Sequence, residues 1–339
     1  MTRLALLLAV VGVAAATVLL ARTGFAAVLS AFAAAGLGVL WASLVHAVPM
    51  ALNARAWQVL VGRGRGRGRS LALFGWLVWI REGVNGLLPV ARVGGEVATA
   101  RLLIRAGVPG PQAVASLVVD LTIGIATQLL FTLAGVTVLA ADTAGGPLVR
   151  ASLVALAVTA PVLVVLAVAQ RGGSFERVAR AARSFVGRPL SGLVASGRRL
   201  DRATRAIHRS PLRLARCAAW QLAGWGAGAA ELLVLLAFLG HPIAPLDALA
   251  VEAIVQAASS AAFLVPGALG VQEGGFAAAG AAVGLPPEIS LALALGRRAR
   301  DLVLFLPALV AWQWTEARSL LRVERSRERR PVGGARLRP

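Results

Sequence analysis

Four charged residues stand where an apolar helix is expected. Arg297, Arg298, Arg300 and Asp301 lie between the apolar runs Leu291 to Leu295 and Leu302 to Leu306, and a guanidinium fork in such a setting is suited to a phosphate or a carboxylate. Arg297 and Asp301 are spaced to share a helix face, so a local ion pair between them is expected. Arg298 and Arg300 then need other counterions, which Glu252, Glu273 or a lipid phosphate could supply. The plainer alternative puts the whole cluster at a membrane interface, with the helix starting later. Asp120, alone among Val118, Val119, Leu121, Thr122 and Ile123, is costly unless it pairs with an arginine inside a bundle.

Two further groups share a spacing. An apolar approach meets Pro89, then Gly94 and Gly95, then Glu96; a second meets Pro266, then Gly267 and Gly270, then Gln272 and Glu273, and in both the glutamate stands seven residues after the proline. Arg81, Glu82, Asn85 and Arg92 surround the first break. A glutamate at the start of a helix complements the helix dipole, which is the structural explanation of Glu96 and Glu273. Against it stands the cost of an ionised group in a bilayer, about 2.5–3.5 kcal/mol on insertion scales, so such a group usually has a partner or a cavity. Pro89 and Pro266, the residues that open each break, join these charged and polar groups as candidates to contact a substrate.

The elements that must position these residues are set by composition. Of 339 residues 58% are hydrophobic and only 15% charged, yet Lys+Arg is 35 against 15 Asp+Glu, a net +20. Every base is arginine. A soluble protein is therefore excluded, and an all-α polytopic membrane protein is expected, with arginine-rich loops on the cytoplasmic side. A span needs roughly 20 mostly apolar residues, and six stretches qualify: Leu4 to Ala21, Ala26 to Ala51, Ala113 to Ala140, Leu148 to Ala169, Leu214 to Leu239 and Ile289 to Trp314. The first reads as an uncleaved span, because no clear cleavage site follows it. Arg55 to Arg69, the connection 171–213 and the tail 317–339 are basic and read as cytoplasmic; Ala141 to Pro147 and Gly240 to Asp247 read as the far side. Both termini are then cytoplasmic. Residues 1–316 form one integral membrane domain.

Leu71 to Ala106 and Leu246 to Gly284, which contain the breaks, do not fit the span rule. Their second legs, Val93 to Gly107 and Val271 to Gly284, are at most ~22 Å of helix, too short to cross. Two re-entrant hairpins are expected, and the matched spacing suggests an internal repeat. Three full spans lie between them, which would turn the second copy upside down, as in transporters whose broken helices meet at mid-depth.

Other signals are blander. Cys217 is alone, and His46, His208 and His241 are scattered, so neither a disulfide nor a metal centre is expected. The Gly-Arg alternation from Gly62 to Arg69 reads as a topology anchor on anionic lipid rather than a nucleic-acid tail. Phe175, Val178, Ala182 and Phe185, interleaved with Arg177, Arg180 and Arg183, suggest an amphipathic helix on the cytoplasmic surface. Gly224 with Gly228, and Gly280 with Gly284, would let helices approach closely. Trp41, Trp57, Trp76, Trp79, Trp312 and Trp314 are expected as interfacial anchors. No hydrolase, metalloprotease, P-loop or dinucleotide fingerprint has a usable context, so neither an enzyme nor a cofactor is expected.

At Leu87 to Glu96, Val118 to Thr122, Pro266 to Gly275 and Arg297 to Leu302, the chain resembles the flippase-like membrane domain of lysylphosphatidylglycerol synthases, and most closely the HpnL-like group associated with hopanoid biosynthesis. The resemblance extends to about Ala317; Arg92 departs from it, since that group is expected to carry glutamine there. It implies a bacterial inner-membrane protein that moves or handles a lipid between leaflets, a hopanoid or an anionic or aminoacylated phospholipid. It does not imply aminoacyl transfer, which in the synthases resides in a separate soluble domain. Its partners would be membrane lipids, with an anionic surface on the cytoplasmic side. The alternative is a non-transporting scaffold that docks lipid-biosynthesis enzymes on the basic 171–213 connection.

Overall fold

The computed structural model describes residues 36–62, 69–88, 93–143, 146–177, 191–261, 268 and 270–328, and among them no strand occurs. The principal helices are α1 (Gly38–Val61), α2 (Leu71–Leu87), α3 (Gly94–Arg105), α4 (Gly110–Thr143), α5 (Pro147–Arg171), α6 (Ser191–His208), α7 (Pro211–Phe238), α8 (Pro245–Ala261), α9 (Val271–Ala282) and α10 (Pro287–Glu328). Their boundaries follow local chemistry. Pro147 and Pro211 open α5 and α7 at the position where a missing N–H costs nothing. Ser70 caps α2 by accepting from the Leu73 amide at 3.2 Å. Gly62, at φ 84, ends α1 in a conformation closed to most side chains.

Three of the described helices are long and apolar enough to cross a membrane: Gly110–Ala140, Val149–Gln170 and Pro211–Phe238. They coincide with three of the six expected spans. The stretch Leu4 to Ala21 lies outside the described residues, as do Arg63 to Gly68 and Val178 to Leu190 of the expected basic loop and amphipathic segment. Two expected boundaries shift. The helix of the second span runs past Ala51 to Val61, because Ala54, Ala56, Trp57, Leu60 and Val61 are buried and prolong its packed face. The last helix continues beyond Trp314 through Glu328, so the first part of the tail extends α10. The described amphipathic helix is α6, which buries Ile207 against Ala115 and Val119 of α4 while Arg198, Arg199, Arg202 and Arg205 face outward.

The two interrupted segments fold as helical hairpins of matching size. α2 and α8 have 17 residues each, α3 and α9 have 12 each, and within each hairpin the two legs pack on one another. Each hairpin is preceded by a long helix, α1 or α7, and followed by a longer one, α4 or α10. The chain is thus a structural repeat, α1 to α4 and α7 to α10, linked by α5 and α6.

The copies are inverted. In the pair α1 and α7, a methyl on Gly38 would meet Phe238, one on Gly224 would meet Asn53, and one on Gly62 would meet Arg213, so the equivalent helices run antiparallel. Further contacts between the copies are exchanged: α2 lies on α10 and α8 on α4, and likewise α1 touches α10 and α7 touches α4. Gly86 faces Phe305 in one exchange, and in the other Gln128 Nε2 donates to Ser260 Oγ at 2.6 Å. The cores follow the same plan. One packs α1 to α4 with Leu309 and Trp312 of α10, and the other packs α7 to α10 with Val136 and Leu139 of α4.

Charge divides the molecule into two ends. Val61 at the end of α1 accepts from Gln112 near the start of α4, and the surrounding exposed residues include Arg101, Arg105, Arg177, Arg205, Arg209 and Arg213. At the opposite end, where Gly38 meets Phe238, the connections carry His241, Asp247 and Glu288 beside Arg150. Between the ends α5 turns Val154, Val158, Val164, Val165 and Val168 outward. Such a continuous apolar exterior belongs in lipid rather than water.

Of the paired small residues, Gly224 and Gly280 serve close approach, whereas Gly284 sits in a turn at φ 79 with nothing near its Cα hydrogen. A further close crossing lies at Gly135, where an added Cβ would fall 2.4 Å from Ala253 Cβ. Gly135→Ala is expected to destabilise by about 1–3 kcal/mol, read as a lower thermal midpoint in detergent. Ala253→Gly in the same chain should recover most of the loss.

Candidate functional site

The charged side chains inside the helical bundle form three groups, the first two beside a helix break. In the first, Arg81 of α2 reaches Asp120 of α4, Nη1 to Oδ2 at 2.9 Å. The Asp120 carboxylate also accepts from Gln221 Nε2 of α7 at 2.9 Å, and the Arg81 guanidinium lies 5.6 Å from the Trp57 ring centroid. Asp120 therefore has the arginine its position demanded. Glu82 lies 3.8 Å from Arg81 and is 41% exposed.

The first break is held by Asn85. Its Oδ1 accepts from the Gly95 amide at 2.9 Å, and its Nδ2 donates to both Glu96 oxygens at 3.2 Å. One amide side chain thus caps the second leg and holds the Glu96 carboxylate. Pro89 and Arg92, in the break itself, lie outside the described residues, as does Pro266 in the other break.

The second group belongs to the inverted copy. Glu96 and Glu273 each stand third in a 12-residue second leg. Glu273 Oε2 accepts from the Gly270 amide at 2.7 Å, while its Oε1 accepts from Arg298 Nε at 3.0 Å. It serves its own helix end and also ties the hairpin to α10, so the two explanations of that glutamate hold together. Gln272, beside it, is buried. Within this break Ala268 adopts φ 48, a left-handed conformation that costs a non-glycine residue roughly 1–2 kcal/mol.

The third group is buried most deeply. Arg297 Nη1 and Nη2 donate to the two oxygens of Glu252 on α8, both at 2.7 Å, with side chains 4% and 1% exposed. Arg300 Nη1 donates to Glu231 of α7 at 2.9 Å, and its Nη2 lies 3.0 Å from Asp301. His46 of α1 meets both Arg300 and Glu231. The expected pair between Arg297 and Asp301 is not formed. Helical spacing permits it, but α8 presents a carboxylate whose two oxygens match the Arg297 fork, and bidentate geometry is the stronger arrangement.

Arg297 and Asp120 stand equally far into α10 and α4, eleventh from the start of each. One position, with opposite charge, anchors a first hairpin leg in each copy, α8 through Glu252 and α2 through Arg81. The sequence identifies Arg297 and Asp120 as costly, and Glu252 as a possible counterion. It does not identify Glu231, His46 or Gln221, since their significance depends on neighbours far along the chain. A lone glutamate in the apolar run of α7 was the available signal for Glu231. Two expected interfacial tryptophans also serve the interior: Trp57 is buried and donates to Ser116 Oγ at 3.0 Å, and Trp79 donates to the Leu304 carbonyl at 2.8 Å.

Apolar exterior, membrane-long helices and internally matched charges define an all-helical membrane-spanning protein with a polar interior. The chain belongs to the family described as the lysylphosphatidylglycerol synthase TM region, which matches residues 4–308, a membrane domain linked to lipid handling. No curated protein and no solved structure matches the chain.

The buried pairs are tested by removing one partner. Glu252→Gln should destabilise by about 3–5 kcal/mol by leaving Arg297 a buried uncompensated charge. The double variant Glu252→Leu with Arg297→Met should regain most of that stability, measured as folded protein surviving a heating series in detergent.

Proposed function

We propose that the protein is a lipid translocase of a bacterial inner membrane, multi-pass, with its arginine-rich end and both termini in the cytoplasm. The observation that carries this reading is the inverted pair of hairpins whose short second legs, about 18 Å of helix each, begin at a charged break. Inverted repeats with broken helices suit alternating exposure of one central site to the two sides. Each hairpin re-enters from its own side, and the arginine asymmetry orients the basic end inward. We read the chain as a transporter rather than an enzyme.

The degree of exposure sorts the charged residues by role. The Arg297 and Arg300 side chains are 4% and 3% exposed and held by carboxylates, so they anchor helices and leave head-group contact to others. Among the described residues of these groups, the side chains that remain reachable are chiefly acidic: Glu82 at 41%, Glu273 at 21% and Asp301 at 19%, against 14% for Arg298. Glu96, only half-buried, adds a further carboxylate. In a chain of net +20 the reachable charge among these described residues is thus negative. It favours a head group that bears an ammonium, as in an aminoacylated phospholipid, with its phosphate received by Arg298; acyl chains stay in the bilayer. The finer resemblance to the hopanoid-associated group supports lipid handling in the same membrane.

Proteoliposomes containing the purified protein should exchange a fluorescent ammonium-bearing phospholipid between leaflets, and faster than its uncharged-head analogue. Glu273→Ala and Arg298→Ala should each slow exchange at least tenfold. Undiminished exchange in both variants overturns the site assignment. Absence of exchange by the wild-type protein, together with stoichiometric co-purification of a biosynthetic enzyme, would favour a scaffold instead.

A further inference from the structure

One buried group does more than anchor helices. Glu231 Oε2 lies 2.8 Å from His46 Nδ1 and 2.9 Å from Arg300 Nη1, and Arg300 Nη1 also meets His46 Nδ1. These three contacts cannot all be hydrogen bonds at once. A guanidinium only donates, so its bond to Nδ1 requires a lone pair there; a carboxylate only accepts, so its bond to Nδ1 requires a proton there. The same ring nitrogen is therefore offered two exclusive partners, Glu231 when Nδ1 carries a hydrogen and Arg300 when it does not.

Two further observations point to an occupant. Glu231 Oε1 and Arg300 Nε are buried without a hydrogen-bond partner among the described residues, with the Glu231 side chain 0% and the Arg300 side chain 3% exposed. The charges do not balance either. With a neutral imidazole, Glu231 and Asp301 outnumber Arg300, while nearby Arg297 is matched by Glu252. One additional positive charge brings the group to neutrality, which is the economical condition at membrane depth. His46 is the open member, with a side chain 16% exposed, and its ring lies edge-on to Phe305 at 6.1 Å.

We propose that His46, Glu231 and Arg300 form a proton-binding site that links α1, α7 and α10. Without the proton, the imidazole carries its hydrogen on Nε2 and Nδ1 accepts from Arg300. A proton from water adds to Nδ1 to give the imidazolium, whose new N–H donates to Glu231. Arg300 then leaves Nδ1 and shifts toward Glu231 Oε1 while keeping Asp301. No bond other than N–H forms, and no other reactant is needed. Among the described residues, the other charged groups nearest His46 are already engaged: Arg297 with Glu252, and, about three turns along α1, Arg81 with Asp120 beside Trp57.

The consequence is a coupling between proton and hairpin. Arg300 and Arg298 share one turn of α10, and Arg298 holds Glu273 at the break of the second hairpin. A proton that moves Arg300 relative to α7 moves the turn that holds this hairpin. Proton binding stands on the geometry alone, and only its role in transport rests on the translocase reading.

The test has two arms. In a His208→Gln, His241→Gln background, His46 is the sole histidine, and nitrogen-15 NMR in detergent reads its ring directly. On acidification the ring should pass from an Nε2-protonated form to an imidazolium with a strongly hydrogen-bonded Nδ1 proton, and that low-field proton should be absent in Glu231→Gln. Identical spectra in the two proteins, or a change driven by sodium at fixed pH instead of by acid, overturn the proposal. In proteoliposomes an imposed pH gradient should change wild-type exchange at least fivefold and leave exchange by His46→Asn unchanged; an equal gradient response in both proteins overturns the coupling of this site to transport. If no condition supports lipid exchange, the translocase reading fails while the NMR arm still decides the proton site.

Discussion

A charge carried into a bilayer must meet its opposite inside the protein, and the arrangement of helices here follows from that requirement. Arg297 cannot be left to lipid, so α8 must lie where Glu252 can take both of its donors. Asp120 sets the same condition for α2 through Arg81, and Arg300 sets it for α7 through Glu231. Apolar contacts cannot impose such register, because a helix sliding past lipid-like side chains loses little. The ion pairs select one register among many that the apolar surfaces would accept.

The inverted repeat distributes these pairs. The first hairpin leg of each copy is tied to the last helix of its own copy by a salt bridge, and packed against the last helix of the other copy by small residues. Gly83 meets Ala308 in one exchange and Gly135 meets Ala253 in the other. The copies have therefore kept the geometry while exchanging the charges: acid on α4 and base on α2 in one, base on α10 and acid on α8 in the other. The breaks differ as well. Asn85 mediates between Glu96 and its helix end, whereas Glu273 caps its own helix and leaves one oxygen for Arg298. That asymmetry gives the second break a charged contact to α10, and α10 also bears the proton-sensitive Arg300.

Much of the architecture was legible beforehand. Proline, glycine and glutamate at one spacing marked both breaks, and the shortness of the legs beyond them followed from residue counts. The three helices long enough to cross coincide with runs whose apolarity needs no tertiary information. What misled was local pairing. Arg297 and Asp301 satisfy the helical spacing for an ion pair, but spacing says only that two side chains can meet, not that a better acceptor is absent. Trp57 and Trp79 misled similarly, since indole rings suit both an interface and an interior that supplies an acceptor such as Ser116 or the Leu304 carbonyl.

By itself the sequence determined that this chain is helical and lives in a membrane, because those properties depend on composition summed over short windows. It also determined where the helices break, because backbone chemistry at proline and glycine is local. Only the tertiary structure decided which arginine is neutralised by which acid, and so which remains reachable. Glu231 and His46 are separated by 185 residues, and nothing along the chain brings them together with Arg300. Their meeting depends on antiparallel packing of α1 on α7, a consequence of the whole inverted fold rather than of any segment within it.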